Sequence, residues 1–112
     1  PRLRAAFDPA NFVQCAVRPM NDAYPLLEKY IAYIHVKDAI MESGKVVPAG
    51  QGDGQLRELI AALKTRQYSG FMSLEPHLKA AETFQGFSGP ELFVTAVRAL
   101  KQLLNEADIP WN

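Results

Sequence analysis

Three short apolar segments are spaced along the chain. They cover residues 3–7, residues 31–36 ("IAYIHV") and residues 71–74 ("FMSL"), and each ends at a polar or charged residue. All three contain β-branched or aromatic side chains, or both, in runs too short for a helix, which is typical of buried strands. The pattern therefore predicts three strands.

Amphipathic segments with helical periodicity separate and follow these strands. Residues 55–67 place leucine and isoleucine at i, i+3, i+4 and i+7, and residues 89–107 repeat one apolar face after a Gly-Pro pair, which suits a first helical turn. Weaker helical patterns cover residues 11–17 and 24–30. Alternating strands and helices predict an α/β fold with a parallel sheet. Three such units are too few to close a barrel, so we expect them to be part of a larger architecture.

The connection after the second strand reads "DAIMESGKVVPAGQGDG", residues 38–54. Ser43-Gly44 predicts a tight hairpin turn. Glycines at positions 50, 52 and 54 suggest a phosphate-binding loop, but their alternate spacing matches neither the Walker A motif nor the dinucleotide fingerprint. We therefore expect flexible backbone at the mouth of the sheet, with Asp38 fixing the loop or orienting His35.

Composition narrows the classes of partner. Twelve basic residues balance twelve acidic ones, so no charge favours nucleic acid or an anionic membrane. No apolar run approaches the roughly 20 residues of a membrane span. The single cysteine, Cys15, excludes an internal disulfide and favours a reducing compartment such as the cytoplasm. We expect Cys15 to be a buried structural thiol.

Each predicted strand ends at a potential metal ligand: Asp8, His35 and Glu75. Carboxyl ends of parallel strands meet at one edge of a sheet, where functional residues gather. A carboxylate–imidazole–carboxylate set suits Mn²⁺, Mg²⁺, Co²⁺ or Zn²⁺. Each of these residues taken alone also has a structural explanation. Asp8 before a proline is typical of the start of a turn, His35 of a buried histidine with its hydrogen bonds satisfied, and Glu75 before a proline of a helix cap. Three such residues on consecutive strands favour a metal site.

The ordered motifs "FDPAN", "IHVKD", "VPAGQGDG" and "GFMSLEPHL" resemble the xylose isomerase-like TIM barrel family of sugar and sugar-phosphate isomerases and epimerases. The resemblance covers essentially the whole chain. It implies that residues 1–112 are the C-terminal three βα units of a (β/α)8 barrel, a partial barrel without its N-terminal units. The open sheet edges then predict homo-oligomers or strand-swapped association.

The resemblance also implies roles for particular residues. Asp8, His35 and Glu75 would bind one divalent ion, Mn²⁺ being favoured, and a further glutamate ligand has no counterpart here. Glu75 would be catalytic, moving a proton next to a sugar carbonyl through a metal-stabilised enediolate. Substrate contacts are predicted for Asn11, Lys37 and His77, although many relatives carry histidine where Asn11 stands.

The leading hypothesis is thus a metal-dependent sugar isomerase or epimerase acting on a small sugar or sugar phosphate. An inosose dehydratase or isomerase of the same fold is one alternative. An apurinic endonuclease is disfavoured, because those relatives use three metals and more histidines. The other alternative is an inert, self-associating fragment, and the isolated fragment is expected to be inactive.

Overall fold

The computed structural model describes residues 2–77 and 89–111. Its strands are β1 (Ala5–Phe7), β2 (Ile31–Val36), β3 (Asp38–Ala39), β4 (Val46–Val47) and β5 (Met72–Leu74). Its helices are α1 (Pro9–Val13), α2 (Tyr24–Leu27), α3 (Leu56–Thr65) and α4 (Pro90–Glu106), with a π-helical turn at Pro19–Ala23 and a 3₁₀ turn at Glu28–Tyr30. Within these ranges, no helix is both long enough and apolar enough to cross a membrane.

The main sheet has the strand order β1-β2-β5, and both of its strand pairs are parallel. This arrangement confirms the predicted α/β class with a parallel sheet. In the described part of the chain, β1 and β5 are the edge strands of that sheet. Association through these edges stays a prediction.

The two faces of the sheet differ in chemistry, because side chains alternate along a strand. Phe7, Ile34 and Val36 face the helices and are essentially inaccessible to solvent. On α3, the predicted apolar face is confirmed, since all four of its residues are buried in the same core: Leu56, Leu59, Ile60 and Leu63. Tyr33 and His35 alternate with the buried residues of β2 and lie on the opposite face of the sheet.

The last strand and the last helix are buried less fully than their sequences predict. Leu103 and Leu104 of α4 pack into the core, but Phe93 near its start is 48% exposed. Phe71 precedes β5 and is 83% exposed, although we expected it within a buried strand. The reason is positional, because β5 has a strand neighbour on only one side within the described ranges.

The helix after β1 begins earlier and ends sooner than predicted. Asp8 accepts a hydrogen bond from the backbone N–H of Asn11 and caps α1, and Pro9 occupies the first turn, where a missing N–H costs nothing. Ala16 has a φ of 57° beyond the end of this helix. Cys15 lies in this turn and is exposed, so the prediction of a buried thiol was wrong.

The glycine-rich loop is organised around the carboxylate of Asp38. Its Oδ2 accepts hydrogen bonds from the N–H groups of Gly50 (2.8 Å) and Gly52 (3.0 Å), and its Oδ1 accepts from Gly54 (2.8 Å) and Ala39 (2.9 Å). Asp38 is 1% exposed. This confirms that Asp38 fixes the loop, and it leaves those glycine amides committed to a side chain rather than to a phosphate.

Two of these glycines are required by the close approach of the loop to Asp38. A Cβ added at Gly52 would lie 2.5 Å from both the Ala39 carbonyl oxygen and Asp38 Oδ1. At Gly54 it would lie 2.6 Å from the same carboxylate oxygen. Both distances are too short for any side chain. Glycine at alternate positions therefore lets the backbone N–H groups of those positions reach the carboxylate of Asp38. The predicted hairpin is also confirmed, since β3 and β4 pair antiparallel, but residues 40–45 connect the strands, so the turn is longer than the tight turn predicted.

We predict that Asp38→Asn lowers the free energy of unfolding by about 3 kcal/mol or more, because an amide group cannot accept four buried N–H bonds. Asp53→Asn is the matched control, since among the described residues the Asp53 carboxylate accepts one hydrogen bond, from the backbone N–H of Met41 at 2.7 Å. Asp53→Asn should lower the free energy of unfolding by about 1 kcal/mol or less. Urea denaturation followed by circular dichroism measures both values. Equal losses in the two variants would contradict this assignment.

Candidate metal centre

The register of the parallel sheet brings the three predicted ligands to one edge. Phe7 of β1 pairs with Ile34, so Asp8 follows at the level of His35. On the other side, His35 pairs with Ser73, and the N–H of Glu75 donates to the carbonyl of Val36. All three side chains therefore project from neighbouring strands near their carboxyl ends, as predicted.

The side chains of these residues converge on a small volume. His35 Nδ1 lies 3.0 Å from Glu75 Oε1 and 3.7 Å from Asp8 Oδ2. One donor atom from each residue falls within 4.8 Å of the other two. The imidazole is held edge-on against the ring of Tyr33, with ring centroids 5.0 Å apart. Two carboxylates and one imidazole nitrogen are donors that first-row divalent ions accept.

Asp8 is held by its helix cap, and its second oxygen takes part in no hydrogen bond with a described residue. Oδ1 is used to cap α1, whereas Oδ2 is buried and accepts no hydrogen bond from any described residue. A buried carboxylate oxygen without a hydrogen bond is costly. This oxygen points into the cluster with His35 and Glu75, so the residues present fit a divalent metal ion.

Lys37 completes the cluster with a positive charge. Its Nζ lies 2.9 Å from Asp8 Oδ2, but without the alignment of a hydrogen bond, and 3.5 Å from Glu75 Oε2. The lysine side chain is 10% exposed, and the Asp8 and Glu75 side chains are 6% and 30% exposed. The sequence predicted for Lys37 a substrate contact or, alternatively, a salt bridge with a neighbouring loop, but not a bridge to these two carboxylates. Its i+2 spacing from His35 was the signal, because in extended backbone that spacing places both side chains on one face.

The other two predicted substrate contacts lie outside the ion cluster. Asn11 is exposed on the first turn of α1, and its backbone N–H is engaged with Asp8. His77 is exposed beyond β5 with a φ of 31°. No hydrogen bond or ion pair joins His77 to the cluster among the residues that the structure describes. Contact with a substrate stays a prediction for both residues.

A surface cleft of about 740 Å³ lies elsewhere on the molecule. The hairpin, the glycine-rich loop and the start of α3 line it, with Arg18, Glu42, Asp53 and Arg57 among its side chains. None of the three predicted ligands lines this cleft. The cleft carries mixed charges, whereas the cluster at the strand ends combines three potential metal donors with a buried oxygen that accepts no hydrogen bond from a described residue. We therefore regard the cluster as the candidate site.

Comparison with known proteins agrees with this geometry. The sequence matches the profile of the xylose isomerase-like TIM barrel family over residues 1–107. The structure is similar to the crystal structure of a xylose isomerase domain protein from Planctomyces limnophilus, with a TM-score of 0.71 and 25% sequence identity. That alignment covers 95% of this chain and 39% of the length of its relative. No curated protein matches the chain.

We predict that Asp8→Asn weakens Mn²⁺ binding at least about 100-fold, more than the loss of an outer-shell partner costs, because it removes the anionic oxygen at the centre of the cluster. Isothermal titration calorimetry with MnCl₂ measures the affinity. Asp108→Asn is the control, since Asp108 is exposed and asparagine tolerates its φ of 53°. Unchanged binding by Asp8→Asn would exclude Asp8 as a ligand.

Proposed function

The chain belongs to the xylose isomerase-like TIM barrel family, and we propose that it supplies metal-binding strand ends to a sugar isomerase or epimerase. The observation that carries the proposal is the convergence of Asp8, His35 and Glu75 from three adjacent parallel strands. Within the described residues they form one group of donors, which supports a site for one ion. The proposed ion is divalent, with Mn²⁺ favoured.

The proposed reaction is proton transfer next to the carbonyl of an open-chain sugar or sugar phosphate. A divalent ion in the cluster supplies positive charge beside the carbonyl oxygen, which makes the neighbouring C–H more acidic. The protein must then provide a base within reach of that carbon, together with groups that keep the base in place.

Differences in burial support different roles for the two carboxylates. Asp8 is almost fully buried and is fixed by its cap on α1, so it suits binding an ion but not contact with a substrate. The side chain of Glu75 is 30% exposed, and one of its oxygens is held by His35 at 3.0 Å. We assign proton abstraction to Glu75, with the proton moving from the substrate carbon to a carboxylate oxygen.

Isomerisation and epimerisation differ in where the proton returns. Return to the adjacent carbon interconverts an aldose and a ketose. Return to the same carbon from the opposite face inverts its configuration and needs a second acid on that face. We assign that second group to the rest of the enzyme, because one carboxylate serves one face of the reacting carbon.

We predict that Glu75→Gln lowers kcat by about 10²–10⁴-fold, the range that a general base contributes. The full-length protein is incubated with MnCl₂ and a panel of ketoses and ketose phosphates in D₂O. Nuclear magnetic resonance then measures deuterium incorporation next to the carbonyl. Glu58→Gln is the control, since Glu58 is exposed on the first turn of α3.

Two outcomes would contradict the proposal. Normal deuterium exchange by the Glu75→Gln variant would remove Glu75 as the base. The absence of exchange by the wild-type protein with any sugar, despite bound Mn²⁺, would exclude proton transfer next to a sugar carbonyl.

A further inference from the structure

The environment of Lys37 differs from that of the other lysines described. Lys29 and Lys101 lie over aromatic rings, Lys64 donates to a backbone carbonyl and Lys45 is exposed. The Lys37 side chain is nine-tenths buried, and its ammonium contacts two carboxylates. A buried ammonium needs such counter-charges, because removing it from water is costly.

Those carboxylates are the ones that the proposed function assigns to the metal. Lys37 Nζ lies 2.9 Å from Asp8 Oδ2, the same buried oxygen that accepts no hydrogen bond. It lies 3.5 Å from Glu75 Oε2, while Oε1 of that group faces His35. The ammonium and a divalent ion would therefore share Asp8 Oδ2.

We infer that Lys37 is an internal counter-cation that competes with the divalent ion for Asp8 and Glu75 and so weakens metal binding. This inference rests on the metal site of the proposed function. Two cations on one carboxylate repel each other, and the repulsion is weakly screened where solvent is excluded. The same charge also offsets the repulsion between Asp8 and Glu75.

The structure gives this lysine little freedom to avoid the ion. Its stem rises from the chain directly after β2, between the neighbouring strands that carry Asp8 and Glu75. Asp38, the next residue, is anchored by four backbone N–H groups. The backbone at Lys37 is therefore fixed, and only side-chain rotation can move its charge away from the ligands.

Calorimetric titration with MnCl₂ alone tests the inference in four proteins: wild type, Lys37→Met, Lys37→Arg and Lys45→Met. Lys37→Met removes the charge but keeps a long, unbranched side chain, and it should bind Mn²⁺ about tenfold more tightly. Lys37→Arg keeps the charge and should stay within about threefold of wild type. Lys45→Met removes an exposed lysine and should bind as wild type does. Unchanged or weaker binding by Lys37→Met overturns the inference.

Stability without metal gives a second readout. In EDTA, Lys37→Met should have a lower Tm than Lys45→Met, because Asp8 and Glu75 lose their shared cation. An equal Tm for both variants would also overturn the inference. If Lys37→Met does not fold, Lys37→Gln replaces it, since glutamine is neutral but keeps hydrogen-bond donors.

The results separate this inference from the proposed function. Mn²⁺ binding by wild type with no gain in the neutral variants refutes the role of Lys37 and leaves the metal site standing. Binding by the neutral variants alone supports the competition directly. No binding by any of the proteins refutes both the metal site and the inference.

Discussion

The carboxylate of Asp38 holds together the region on which the candidate site depends. Four backbone N–H groups, three of them from the glycine-rich loop, donate to its two oxygens in a buried environment. These bonds tie the end of β2 to the loop that leads into α3. Because α3 supplies much of the core beneath the sheet, one side chain couples the loop, the helix and the strand that carries His35.

Parallel pairing then explains why the charged residues meet. Side chains alternate across a strand, so Phe7, Ile34 and Val36 pack on the helices while the polar residues share the opposite face. At the strand ends that face carries two carboxylates, one imidazole and one ammonium. The ammonium of Lys37 offsets part of the charge of the two carboxylates, and among the described residues a buried oxygen without a hydrogen bond, Asp8 Oδ2, is directed into the centre. The proposed metal site rests on these properties.

Predictions from the sequence succeeded where local pattern and burial agree. The strand at Ile31–Val36, the apolar face of α3 and the hairpin around Gly44 were all predictable, because periodicity and turn chemistry act within a few residues. The predictions failed where the burial of a side chain depends on other elements of the structure. Phe71 and Cys15 look buried by residue type, but no element in the described ranges covers them. The glycine spacing and a role for Asp38 in fixing the loop were predictable, but the convergence of three glycine amides on the Asp38 carboxylate was not.

The sequence by itself determined the α/β class, the three ligand candidates and their order on consecutive strands. These features were predictable because the order of apolar and polar residue types along the chain determines them. The tertiary structure alone decided which atoms meet. Asp8 divides its two oxygens between a helix cap and the cluster, and Lys37 bridges Asp8 and Glu75 over 29 and 38 positions of sequence. Such contacts depend on the parallel pairing and register of β1, β2 and β5, which bring atoms of residues distant in the chain within bonding distance.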